Sequence, residues 1–281
     1  MLKYPLAYVS DNALINSRQM VLLINFLLFF GFFGAAAAGI VPDNRNIKVF
    51  VDEEKLPIFP SDSILDTGVM SKDKDLPSPL LSYALEKATS KQLRTKLKQD
   101  LGLEKITMDG VKTSFTDHLV NRIIPHWYGT KWSFGGHTSI PKTGEIACGY
   151  FVSTTLRDMG INVNRYRLAQ KSPIDEARMI SCGSEITTIN AADTASAIQQ
   201  LDQHTREGLY FIGFDEGHVG FLLKKEGELF LVHSNYLAPV AVCMQPIETS
   251  NVFKKFSVFH VVDISHNDLL IQKWLDGSAV L

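Results

Sequence analysis

At 281 residues the chain has room for one or two domains with a substantial core, and 45% hydrophobic against 21% charged residues excludes a largely disordered chain. A formal net charge of −2 and a pI near 6.4 leave no basic footprint, which excludes nucleic-acid binding as the organising role. There is no internal repeat, heptad run or low-complexity tract to suggest a fibrous or solenoid architecture.

The first feature along the chain is "MVLLINFLLFFGFFGAAAAGIV", residues 20–41, an uncharged run with Arg18 upstream and Asp43 downstream. A positive flank, an apolar core and an alanine-rich exit at Ala35 to Ala38 is the layout of a secretory signal with A-x-A cleavage sites. The run is also long enough to span a bilayer as an uncleaved anchor. Residues 1–40 are therefore read as a signal peptide or membrane anchor, with Met1 and Met20 as alternative starts. Both readings place the remaining chain in an extracytoplasmic space, periplasmic or secreted, touching membrane only through this segment if it is not cleaved.

"NIKVFV" (46–51) reads as a short strand, and Pro57, Pro60, Pro77 and Pro79 among Asp and Ser mark a linker. The segment 78–102 then reads as a helix with Leu80, Leu81, Ala84 and Leu85 on one face and Gly102 as its stop. Residues 41–105 are assigned to a mainly helical N-terminal extension without chemistry, and residues 106–281 to the main domain.

A helix capped by Ser114 or Thr116 carries Phe115, Leu119 and Ile123 inward, and Pro125 should end it. The loop "WYGTKWSFGGHTSIPKTGE" follows, and after it Phe151, Val152, Thr155, Leu156 and Met159 recur at helical spacing before Gly160. Cys148 thus falls in the first turn of a helix directly after a Gly-rich loop. Free N–H groups and the positive end of the helix dipole there favour a thiolate, so a lowered pKa is expected. With three cysteines one thiol must stay unpaired. Export permits a disulfide, and Cys182 with Cys243 is the pairing that spares Cys148.

"GHVGFLLKKEGELFLVHSNY" (217–236) has apolar runs at Val219–Leu223 and Leu229–Val232 around Gly227, the pattern of a β-hairpin. His218 and His233 would then lie side by side across the ladder. Two surface histidines on a hairpin need no function by themselves. Cys148 supplies the missing partner. A thiol attacking an amide needs an imidazole to take and return a proton, and that imidazole needs a third group to fix its tautomer.

These segments resemble the NlpC-like cell-wall cysteine peptidases. "GTKWSFGG" (129–136) is similar to that family's aromatic loop, with Trp132 where Tyr is usual, and "ACGYFVSTTL" stands where its Cys motif opens a helix. "EGLYFIGF" (207–214), "HVGFLL" and "LVHS" follow in the family's order. The resemblance, over roughly residues 110–240, implies an α+β, papain-like core in which the nucleophile-bearing helix packs on an antiparallel sheet. It implies Cys148 as nucleophile, His218 as base and His233 as orienting group, with Trp132, Gly149 and Tyr150 against the substrate. The implied partners are peptidoglycan stem peptides or another peptide amide. Departures fall on the substrate side: Ala147 replaces the family's amine-binding Asp, and residues 161–192 look inserted. A related thiol acyltransferase, or a non-catalytic module binding cell-wall peptides or a partner protein, fits the same core.

Other histidines weigh less. His126 and His137 read as loop residues and His260, in "FSVFHVVDIS", as a core histidine with its hydrogen bonds satisfied. No HExxH, paired CxxC or phosphate-binding Gly loop occurs, so neither a metal nor a nucleotide cofactor is expected.

Overall fold

The computed structural model describes residues 79–215 and 217–280. The apolar run at 20–41, the strand at 46–51 and the linker to Pro77 lie outside the described residues. So does the question of a cleaved or retained leader.

Among the described residues six antiparallel strands make one sheet: β1 (Thr187–Asn190), β2 (Gly208–Phe214), β3 (His218–Lys225), β4 (Glu228–Ser234), β5 (Val242–Pro246) and β6 (Val258–Asp263). They lie in the order β1-β6-β2-β3-β4-β5. Side chains alternate between two faces, and both are buried. One face carries Phe211, Val219, Phe221, Val232 and Val262 into a core shared with the helices. The other carries Ile212, Phe214, Leu222, Leu231 and Phe259 into a second cluster with Ala197, Leu201 and Phe253.

The helices on the first face are α1 (Pro79–Gly102), α2 (Met108–His118), α3 (Cys148–Asp158), α4 (Arg165–Ala169), α5 (Pro173–Ser181) and, after β6, α7 (Asp268–Asp276). Helix α6 (Thr194–His204) packs by β1 on the second face. The class is α+β. Helix α3 lies against β3 and β4, with Phe151 edge-on to Phe221 at 5.8 Å.

Three sequence expectations change. Helix α1 is present where the pattern put it, but it belongs to the domain rather than to an appended extension ending at 105. Its inward face is Tyr83, Ser90 and Leu97, whereas Leu85 is exposed. The Tyr83 hydroxyl donates to Asp158 of α3 (2.9 Å) and accepts from the Trp127 indole (2.9 Å), tying α1 to α3. Helix α2 begins earlier than Ser114: Thr107 caps it by accepting from the N–H of Gly110. Pro125 does not end the helical path, which passes through a π-turn at Leu119–Ile123 into a 3-10 turn at Ile124–Trp127, where a proline fits the first positions.

The hairpin forms as read. Glu226 and Gly227, both at positive φ (55° and 79°), make its two-residue turn, and their N–H groups donate to the Glu207 carboxylate at 2.8 Å each.

Candidate active site

The nucleophile candidate is delivered by a loop that must approach its neighbours closely. Gly136 abuts the backbone of Glu145 and Ile146, where an added Cβ would meet main-chain atoms at 2.6 Å. The Ala147 N–H donates to the Gly136 carbonyl (2.8 Å), and Ser234 Oγ donates to the Ile146 carbonyl (2.7 Å). The residue after His233 thus anchors the chain two residues before Cys148. Ala147 is an extended N-cap without a side-chain bond, and Cys148 is the first helical residue.

Phe151, Val152, Thr155, Leu156 and Met159 are all buried, as their spacing predicts. Backbone N–H groups of Val219, Gly149 and Cys148 itself favour its thiolate electrostatically. The expected low pKa is not the result. Burial pushes the thiol up to about 11; the Val219 N–H opposes this, Glu176 adds to it, and the Gly149 and Cys148 N–H groups oppose it again. Desolvation outweighs the helix end, and the resting thiol is neutral.

His218 opens β3 and His233 lies near the end of β4. They are not directly opposite. The ladder pairs Phe221 with Val232, so Gly220 faces His233 and His218 lies two residues further on the same face. The rings meet on this diagonal, His218 Nε2 to His233 Nδ1 at 2.8 Å, nearly perpendicular. Burial and the neighbouring His233 hold His218 well below the ordinary imidazole range, and burial lowers His233 as well. Both rings are neutral near pH 7. With Nε2 engaged, His218 keeps Nδ1 for proton exchange.

The structure brings the two histidines together and sets the thiol near the backbone of the strand that His218 opens. Cys148 meets the backbone N–H of Val219, the neighbour of His218. Tyr236 links the parts: its ring packs on His218 at 5.4 Å, and its hydroxyl, raised first by burial, is raised further by Cys148. Among the described residues no hydrogen bond joins the thiol to the imidazole. Strand alternation accounts for this, because Val219 and Phe221 face α3 while His218 leaves β3 on the Leu222 side. His218 is the first residue of its strand, so its ring sits at the end of the sheet.

Of the expected substrate contacts, Trp132 packs on Tyr236 at 5.9 Å, half-buried at the edge of the site. Tyr150 belongs to a cluster beside it, with Tyr166, His137 and the Arg165 guanidinium 5.1 Å from its ring centre. Gly149 has no room for a side chain. It is buried under α4, where an added Cβ would meet the Ala169 carbonyl at 2.7 Å. Cys182 and Cys243 are free thiols, which corrects the expected disulfide. Cys182 takes the left-handed C-cap of α5 (φ 55°), and its thiol donates to Met179 O; the Cys243 sulfur accepts from Asn235 Nδ2.

His260 is a satisfied core histidine, hydrogen-bonded to Thr188 and Asp215 at 3.1 Å each. His137 Nδ1 bonds the Gly135 carbonyl, and the His126 ring packs tilted against Tyr83 at 5.2 Å. No group of metal-ligating side chains occurs among the described residues.

Sequence reasoning missed Glu176. This carboxyl is 2% exposed, lies 3.1 Å from where a Gly149 Cβ would stand, and its Oε2 has no hydrogen-bond partner. Burial raises it well above the ordinary carboxyl range, so it is neutral beside the thiol. It sits in the stretch that reads as an insertion, where no motif signalled it. No family model, curated protein or solved structure matches this chain.

Proposed function

We propose that this domain is a papain-like cysteine hydrolase that cleaves a peptide or isopeptide amide, with peptidoglycan stem peptides as its substrate class. The observation that carries this reading is the placement of Cys148 at the first position of α3, near the backbone of Val219, with a buried His218–His233 pair starting from the residue before it. Cys148 attacks the carbonyl carbon as His218 Nδ1 takes its proton, and His218 then returns that proton to the leaving amine. His233 holds the ring through Nε2. In this reading the N–H of Cys148 forms part of the oxyanion hole, where one donor is worth roughly 3 kcal/mol of barrier.

The raised thiol means that attack proceeds by general-base deprotonation and not from a standing thiolate–imidazolium pair. The substrate class rests on the order of motifs that resembles the NlpC-like peptidases, and the apolar run at 20–41 supports an extracytoplasmic setting. The absence of that family's Asp, with Ala147 in its place, separates the substrate's amine end from the family pattern.

A second reading, a non-catalytic peptide-binding module, is favoured by one observation: burial raises the thiol, and among the described residues no hydrogen bond joins it to the imidazole. Digestion of purified muropeptides, followed by mass spectrometry, separates the two. Cleavage that disappears in Cys148→Ala supports the hydrolase; binding of the same peptides without any cleavage supports the module.

A further inference from the structure

A side chain without any motif completes a line across three strands. Gln245 lies half-buried on β5, two residues along from Cys243, the register partner of His233. The step from His218 to His233 and the step from His233 to Gln245 are therefore the same diagonal, on one face of the sheet. His233 Nε2 is 3.2 Å from the Gln245 amide nitrogen, which is 2.8 Å from Ser250 Oγ. Ser250 is fully buried, and its hydroxyl accepts from the N–H of Phe253 at 3.2 Å.

A neutral imidazole has one N–H and one lone pair, so the partner of one nitrogen decides the state of the other. With its nitrogen toward His233, Gln245 donates to His233 Nε2. His233 must then donate from Nδ1 to His218 Nε2, and His218 carries its own proton on Nδ1. That nitrogen cannot accept the thiol proton. A half-turn of the amide puts its oxygen in the same place. Ser250 then donates to that oxygen while still accepting from Phe253, and His233 donates to it from Nε2. His218 donates from Nε2 to His233 Nδ1 and presents a lone pair at its own Nδ1. Every bond of the line survives, with its direction reversed.

We propose that Gln245, held by Ser250, is a positioning residue that selects the tautomer of His218 through His233, and so decides whether Cys148 has a base. The inference rests on the reading of Cys148 and His218 as nucleophile and base. One amide orientation is idle and the other is armed.

The test uses the full chain labelled with 15N-histidine, comparing wild type, Gln245→Glu, Gln245→Leu, Ser250→Ala and His218→Ala. Imidazole 15N shifts report the tautomers, and peptide mapping reports iodoacetamide modification of Cys148 at pH 7. A carboxylate at 245 only accepts, so Gln245→Glu should fix His218 in the Nε2–H form and alkylate at least as fast as wild type. Gln245→Leu should mix the tautomers and alkylate roughly tenfold more slowly, within the range that one acid–base group contributes. Should that variant fail to fold, Ser250→Ala, which frees the amide, carries the same expectation in smaller measure. Unchanged shifts and rates in the Gln245 and Ser250 variants, beside a slowed His218→Ala, overturn the role of Gln245 and leave the Cys–His reading standing. If His218→Ala alkylates like wild type, the base reading fails instead. A Gln245→Glu spectrum with the proton on Nδ1 of His218 overturns the proposal in either case.

Discussion

Gly220 faces His233 across the β3–β4 ladder, and a Cβ at 220 would stand 2.9 Å from the Cβ of His233 and 2.9 Å from the Val232 carbonyl oxygen. The missing side chain is what lets His233 lean across the strand to reach His218. Gly220→Ala should therefore separate the two rings. Overpacking of this kind costs roughly 1–3 kcal/mol. The accompanying loss of activity should exceed what the unfolded fraction explains. Urea unfolding together with initial rates checks this, and full activity in the folded fraction would show that the diagonal contact is dispensable.

The substitution series on the proposed triad separates chemistry from stability. Cys148→Ala should abolish turnover, since no other group present forms the thioester. His218→Ala should lower kcat by roughly 100-fold or more, because base and acid are lost together. His233→Ala should leave measurable activity, because His218 keeps its chemistry but loses its partner. His260→Ala is the control. It forfeits bonds to Thr188 and Asp215, should cost about 1–2 kcal/mol of stability, and should spare the rate of folded protein. A severe His260 defect beside a harmless His218 change would refute the assignment.

How much of this was legible in the sequence follows from which signals are local. The hairpin was readable because a two-residue turn with Gly227 between two short apolar runs admits few other structures. Helix α3 was readable from its spacing and from Gly160 at φ 99°. The diagonal between His218 and His233 was not, because register depends on which glycine faces which ring. Gln245 and Glu176 carried no signal: one lies in a short strand, the other in a helix whose place over Gly149 is set by tertiary packing. The inward face of α1 was misjudged because Tyr83 and Ser90 are polar at their tips. Their burial depends on Asp158 and His118, which are far away in sequence. The thiol's pKa was misjudged for a related reason. The helix end is local and visible, whereas desolvation is not.

The histidine pair makes the protein acid-sensitive. Both rings have folded-state pKa values below their ordinary 6.5, so between those values and 6.5 the unfolded chain binds more protons than the folded one. The stability involved is present above about pH 6.5 and lost as pH falls. His118 and His126, also lowered chiefly by burial, act in the same direction. In a Glu176→Gln background, which removes the opposing carboxyl, urea midpoints should fall from pH 7.5 to 5. A variant carrying both His218→Ala and His233→Leu, whatever its absolute stability, should show a shallower slope. An identical slope would mean that these rings protonate freely in the folded state.

Removing the Tyr83 hydroxyl should loosen α1 from α3. Tyr83→Phe leaves the Trp127 indole without its acceptor and Asp158 without one donor, both in the interior. The cost of a buried group left unsatisfied is roughly 1–3 kcal/mol. Because Asp158 closes the helix that Cys148 opens, the effect should appear in the melting temperature and not in the alkylation rate of Cys148 in folded protein. A slowed alkylation at unchanged stability would contradict this division.

Glu176 has the opposite pH signature. Its folded-state pKa lies well above its ordinary 4.5, because burial disfavours the carboxylate. In the window above 4.5 the folded chain holds a proton that the unfolded chain has released, so stability present below 4.5 is lost as pH rises toward the folded value. Glu176→Gln keeps the shape and stays neutral, and therefore escapes this loss. The variant should match wild type near pH 4.5 and exceed it increasingly toward pH 8. The same change removes a group that raises the Cys148 thiol, so alkylation of Cys148 at pH 8 should not slow. Urea unfolding at several pH values, with peptide-mapped alkylation alongside, measures both effects. A stability difference that stays constant with pH would show that Glu176 is already ionised in the folded protein, with a cationic partner beside it.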